Sequence, residues 1–326
     1  MPVPETEVYL YEKVIISISC CCSFLGSTLI IATHGLWPDL RTKPRQLLVY
    51  LSVADLLSAV SYLYGVLRDF DSSSWDCVLQ GALSTFANTS SFFWTVAIAI
   101  YLYIIIVRSD QHLAGSLCVL FHAVSWSVPL VITVAAVSLR KIGYDASDVS
   151  VGWCWVSILA EDHFLWMLLT GKIWEFIAYI TLPILYIRIK KHINRAHEAL
   201  SEYRPILSSS SSYHSRSSSA DLKLTLIPII FILLRIWSTV RFILTLCGSP
   251  VVENRLLVTL HGVGNTFQGA ANCIMFILCT KPIRLRLISS LCSFCRNEDD
   301  KSMESESKIT SRQASTSLPS PFVTEE

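Results

Sequence analysis

Charge is scarce in this sequence. Asp, Glu, Lys and Arg make up 16% of its 326 residues against 52% hydrophobic ones, where a soluble domain carries about 25% charged residues. Such a small polar complement points to a membrane protein. Enzyme signatures are also missing: no P-loop, Rossmann glycine fingerprint or HExxH zinc helix occurs, and no Ser, His and Asp group is suggested by spacing. No enzymatic activity, cofactor, metal or nucleic-acid partner is therefore expected. His192 and His197 stand five apart on a basic, water-facing stretch, which does not suit a metal. The doubled hydropathy pattern of many transporters is absent.

What is present is a series of apolar runs. A helix needs about 20 mostly apolar residues to cross a bilayer, and windows of that length pick out seven spans, at about 14–36, 46–67, 77–107, 116–138, 164–189, 222–247 and 256–279. Backbone amides in lipid must bond internally, so each is read as an α-helix. The predicted fold is an all-α seven-transmembrane helix bundle with a core at 14–279. Segment 1–13 precedes it, and a juxtamembrane helix at 280–296 and a disordered tail at 297–326 follow.

Lys and Arg set the orientation. With the amino terminus outside, the cytoplasmic segments hold Arg41, Lys43, Arg45, Arg108, Arg188, Lys190, Lys191, Arg195, Arg204, Arg216, Lys223, Lys281, Arg284, Arg286 and Arg296. The opposite side holds only Lys13, Arg68, Arg140, Lys141 and Arg255. The expected placement is multi-pass in the plasma membrane, amino terminus extracellular and carboxyl tail cytoplasmic. The first run is preceded by acids and lacks a clear small-residue cleavage site, so it reads as span one, not a leader. Asn88-Thr89-Ser90 matches the glycosylation pattern, but inside span three it is expected to be silent.

Of 11 cysteines, Cys77 at the outer start of span three and Cys154 in the outer loop "VSVGWCW" both see an oxidising compartment, which favours a disulfide between them. Cys247, near the outer end of span six, is the rival partner. On the other side, Ile283, Leu287 and Leu291 repeat at helical spacing in "KPIRLRLISSLCSFC". That pattern reads as an interfacial helix, with Cys292 and Cys295 as palmitoylation candidates.

Polar groups inside the spans are the strongest functional signal. His261, Asn265, Gln268 and Asn272 fall at spacings of four, three and four, within about 60° of one helical face. Gly262, Gly264 and Gly269 allow that face to approach other helices closely. Asp55, Lys172, Glu175, Arg235 and Arg241 lie deeper. At about 3 kcal/mol each, leaving all five in lipid would cost on the order of 15 kcal/mol, comparable to the stability of a whole domain. They should face one another or water, and Glu175 is predicted to pair with an Arg of span six. These nine residues are the ligand-cavity or switch candidates; a fixed structural network is the plainer alternative. Pro129, Pro183 and Pro228 can kink spans four, five and six.

Between spans five and six, at about 190–221, a basic helical extension runs into "SSSSSYHSRSSSAD", a low-complexity loop with phosphorylatable Ser. Arg188, Lys190, Lys191 and Arg195, with Lys281 and Arg284, form the expected inner docking surface. Span seven holds no Lys, which removes a retinal Schiff base there.

Several stretches carry a resemblance: "SVADLLSA", "DCVLQGALSTFANTSSFFWT", "DVSVGWCW", "KHINRAHEALSEYRPIL", "RIWSTVRF" and "GNTFQGAANCIMF". Through them the chain resembles the G-protein-coupled receptors, in their cyclic-AMP-receptor-like group with affinities to secretin-like receptors. Span three ends "YIIIVRSD" without Asp-Arg-Tyr, and span seven lacks Asn-Pro-x-x-Tyr, which sets it apart from rhodopsin-like receptors. The resemblance implies a Cys77–Cys154 disulfide and a heterotrimeric G protein as partner, exchanging GDP for GTP. Receptor kinases and arrestin would read the Ser/Thr-rich loop and tail. With about 13 residues and no Cys ahead of span one, the hormone-binding ectodomain of secretin-like receptors is not expected here. Against this receptor reading stand an ion or proton transporter using the buried charges, and a non-signalling scaffold.

Overall fold

The computed structural model describes residues 8–68, 70, 74–144, 151–157, 159–203, 227–280 and 282–290. Lys281, Cys292, Cys295, the Ser-rich loop and the tail lie outside them. Six of the seven spans are long apolar helices. They are α1 (Leu10–Leu36), α2 (Lys43–Leu67), α3 (Trp75–Tyr103), α4 (Gln111–Ser138), a fifth built from α5 (His163–Met167) and α6 (Ile173–Tyr203), and α7 (Ile227–Leu246). The seventh is divided into α8 (Arg255–Thr266) and α9 (Gln268–Cys279). A further helical run covers 282–290.

Helix ends follow local chemistry. The Glu12 carboxylate accepts the Tyr9 amide at 2.8 Å, and Asp110 and Asn254 cap the amides of Leu113 and Leu256, each supplying an acceptor for an otherwise orphaned donor. At the far end of α1 the Arg41 guanidinium donates to the carbonyls of His34 and Gly35. Ser109, at φ 54°, makes the left-handed turn from the third span into α4.

Burial is inverted relative to a soluble bundle. Asp55, Lys172, Glu175, Arg235, Arg241 and Asn272 are all buried, while Val119, Val131, Ile180 and Leu233 are exposed. Apolar side chains outward and polar ones inward is the arrangement hydrocarbon favours as a solvent. Inside the bundle, aromatic rings link neighbouring spans: Trp94 of α3 meets Tyr50 of α2 and His122 and Trp126 of α4 at centroid distances of 4.9 to 5.8 Å.

Two irregular turns shape the interior. Between α5 and α6, Leu168–Lys172 form a π-turn, and the carbonyl of Thr170 there accepts from the Thr89 hydroxyl of α3 at 2.9 Å. Near mid-span, helix seven breaks at Phe267, where the sequence indicates one continuous helix. The causes are local. Thr266 Oγ1 turns back onto the Gly262 carbonyl, a bond type that bends helices, and its oxygen also meets the Ser19 hydroxyl of α1 at 2.7 Å. The Gly269 amide is taken up by Ser23 Oγ of α1 at 2.9 Å. Together α8 and α9 still extend about 37 Å at 1.5 Å per residue, enough for a bilayer core of about 30 Å.

At one end, β1 (Ile142–Tyr144) pairs antiparallel with β2 (Cys154–Val156). A second compact unit begins at Ile277. In it, Thr280 accepts the amides of Ile283 and Arg284 at the start of the 282–290 run. That run buries Ile283 and exposes Arg284, Leu285 and Arg286.

Candidate functional site

The site begins beneath the β1–β2 hairpin. A disulfide joins Cys77 at the start of α3 to Cys154 in β2, so Cys247 is not its partner and stays a free thiol. The Cys154 amide donates to Gln80 Oε1 at 2.8 Å, and Gln80 in turn bonds Ser61 of α2. Thus anchored, the segment before β2 enters the bundle: Val151 and Trp153 are buried. The Trp153 ring stands edge-on to Tyr62 at 4.5 Å and to His261 at 5.8 Å.

Below it lies a cavity of about 50 Å³ lined by residues of α2, α3, the π-turn, α6, α7 and α8, among them Lys172, Glu175, Arg235, His261 and Asn265. A water needs about 10–15 Å³ of such space, so this packing has room for a few waters or a ligand of a few heavy atoms, not for a peptide.

On one wall, Lys172 and Glu175 form a buried ion pair at 2.8 Å. Lys172 Nζ also donates to Ser238 Oγ at 2.7 Å, and Glu175 Oε1 accepts from the hydroxyls of Tyr179 and Thr239, both at 2.6 Å. The pairing expected for Glu175, an Arg of span six, is therefore corrected. Lys172 stands three residues before Glu175, one helical turn away on the same span, and span six answers with hydroxyls. Arg235 instead reaches two amides: its Nη2 donates to Asn88 Oδ1 at 2.7 Å and its Nη1 to Asn265 Oδ1 at 3.2 Å. Its guanidinium also stands 5.0 Å from the centre of the Phe92 ring. Arg241 contacts His261 Nδ1 at 2.8 Å and donates through Nε to the Val252 carbonyl.

The four-residue stripe of span seven is buried along its whole length, and the break at Phe267 divides it into two pairs. His261 and Asn265 meet at 3.0 Å and face the cavity. Gln268 donates to Asn272 at 3.2 Å, and Asn272 donates to Asp55 Oδ2 at 2.8 Å, while Ser91 of α3 donates to Asp55 Oδ1. These bonds form three clusters: Lys172 and Glu175 with hydroxyls of span six, Arg235 with Asn88, Asn265, His261 and Arg241, and Asp55 with Ser91, Asn272 and Gln268; with the Ser19 and Ser23 contacts they draw on six of the seven spans. Each of the nine expected interior residues belongs to one of these clusters.

Asn88 was overlooked as a functional residue because its sequon drew the reading toward glycosylation. It is buried, holds Arg235, and donates to Tyr62 and to the Ser84 carbonyl. A signal existed: Ser84, Asn88, Ser91 and Thr95 repeat at helical spacing along one face of α3.

Residues 9–271 match the family model of the seven-transmembrane receptors of the secretin family. The chain belongs to that receptor family. It is 65% identical to the G-protein coupled receptor 157 of Mus musculus over 90% of this chain and 89% of that one. To the Homo sapiens receptor of the same name it is 66% identical, over 88% of this chain and 86% of that one. Squid rhodopsin superposes with a TM-score of 0.69 over 92% of both chains at 14% identity, which speaks for the fold alone. Within a secretin-family bundle, Arg188, Lys190, Lys191 and Arg195 are exposed along α6 at the end away from the disulfide. Arg284 is exposed in the 282–290 run.

Proposed function

We propose that this chain is a plasma-membrane receptor, amino terminus outside and carboxyl tail in the cytoplasm, that activates a heterotrimeric G protein. A ligand entering beneath the β1–β2 hairpin shifts the balance between two helix packings, and one of them promotes exchange of GDP for GTP. One observation carries this reading: the buried clusters of charges and amides that line the cavity and, deeper, surround Asp55, tying spans two, three, five, six and seven to one another. Buried polar clusters of this kind have few favourable arrangements, so a contact made at Lys172, Arg235 or His261 biases how spans three, five, six and seven pack. The relatives' names, at their level of identity, support G-protein coupling. The exposed basic residues of α6 offer a positively charged docking face. Arg284, Lys281 and the Ser-rich segments remain candidates for G-protein, kinase and arrestin contacts, and Cys292 and Cys295 for acylation.

The test is uptake of GTPγS by purified Gα subunits of each class, each with Gβγ, in membranes with and without this protein. Receptor-dependent uptake by at least one class is expected. Failure with every class, in the presence and absence of small-molecule pools, would reject G-protein activation.

A further inference from the structure

Three contacts join four side chains in a row: Arg241 Nη1 to His261 Nδ1 at 2.8 Å, His261 Nε2 to Asn265 Nδ2 at 3.0 Å, and Asn265 Oδ1 to Arg235 Nη1 at 3.2 Å. Both ends are guanidiniums, which only donate. A neutral imidazole brings one acceptor and an amide side chain brings one acceptor oxygen. Three contacts therefore have two acceptors to share. If His261 Nδ1 accepts from Arg241, its Nε2 carries the proton and faces the Asn265 amino group. Turning that amide over moves the conflict to Arg235. Protonating His261 removes a further acceptor. Every arrangement of tautomer and amide leaves the row one acceptor short.

The charge count leans the same way. Glu175 is matched by Lys172 and two hydroxyls, and Asp55 is held by Ser91 and Asn272. Arg235 is 3% exposed, its Nε has no hydrogen-bond partner, and no carboxylate lies within ion-pair distance of it among the described residues. Amide oxygens and the face of Phe92 satisfy a buried cation only in part. Arg235, His261 and Asn265 all line the cavity, as does Thr85, whose buried hydroxyl also lacks a partner.

We propose that this cavity binds a compact oxyanion, a small carboxylate or phosphate from the aqueous side, anchored by Arg235 and by the acceptor-poor row of His261 and Asn265. Its meaning as a signal rests on the receptor reading above; its chemistry does not. Water would supply the missing acceptor but not the missing charge, so a charged oxyanion is what completes the site.

The experiment is thermal unfolding of the full chain, purified in a neutral maltoside detergent. At constant ionic strength, sodium chloride is replaced by sodium propionate or sodium phosphate, with propionamide as the uncharged control. Expected is a saturable rise in Tm of about 5 °C with one of the oxyanions and none with propionamide. Asn265→Asp replaces the amide by a group that accepts from both His261 and Arg235 and carries its own negative charge. This variant should unfold at a higher temperature in chloride and lose the oxyanion response. Arg235→Gln should lose the response as well; should it fail to fold, Asn265→Asp still decides the matter. The proposal is overturned if neither oxyanion stabilises the wild type, if propionamide does so equally, or if Asn265→Asp keeps the full response. Nucleotide exchange does not enter this readout. Saturable oxyanion binding without exchange on any Gα leaves the site standing and removes the receptor reading, and exchange without oxyanion binding does the reverse.

Discussion

Lys172 and Glu175 are each almost wholly buried and meet at 2.8 Å. Removing one partner leaves the other as an uncompensated buried charge, at a cost of about 3–5 kcal/mol. Lys172→Met and Glu175→Leu should therefore each lower the unfolding temperature clearly. The double variant should recover much of the loss, because no lone charge remains. Tm measured across the four proteins of this cycle checks it; additive losses would mean that the two groups do not act as a pair. At this scale the sequence was partly legible. Burial of Asp55, Lys172, Glu175, Arg235 and Arg241 follows from the price of charge in lipid, whereas the choice of partner does not. Lys172 and Tyr179 stand three and four residues from Glu175, a helical spacing that the sequence displays, whereas Thr239 becomes a partner only through the packing of α6 on α7, which no spacing rule contains.

Helix seven owes its shape to small residues and hydroxyls. A Cβ added at Gly264 would be driven onto the backbone carbonyl of Leu234 in α7, and one at Gly269 would meet the Ser23 carbonyl of α1 at 2.9 Å. Backbone cannot swing aside as a long side chain does. Gly264→Ala should force α8 away from α7 and lower stability by about 1–3 kcal/mol, the usual range for overpacking. Gly115, by contrast, has nothing within 4 Å of such a Cβ, and Gly115→Ala should be neutral or slightly stabilising in α4. Thermal unfolding of the two variants side by side checks both. Apolar windows sufficed to locate all seven spans, since length and hydropathy are summed over many residues. The break at Phe267 and the π-turn at Leu168–Lys172 were not legible, because each depends on a hydroxyl from another span: Ser23 for the Gly269 amide, Thr89 for the Thr170 carbonyl.

For the whole molecule, the disulfide fastens the hairpin across the bundle and closes a loop of 77 residues. Chain entropy alone assigns such a closure about 4.5 kcal/mol. Cys77→Ser and Cys154→Ser should each lower Tm and release Trp153 from Tyr62 and His261, seen as a change in tryptophan fluorescence. Cys247→Ser should do neither. Orientation is checked by sequons added ahead of Tyr9 and within the loop after Tyr203: the first should be glycosylated in cells and the second should not. The central claim is that the buried network couples the cavity to G-protein activation. Its most direct test is GTPγS uptake by a responsive Gα, with wild type, Glu175→Gln and Arg235→Gln reconstituted at equal amounts of folded protein. The account predicts that both variants change the exchange rate, by about tenfold for each 1.4 kcal/mol of altered packing equilibrium. Exchange at the wild-type rate in both would contradict it.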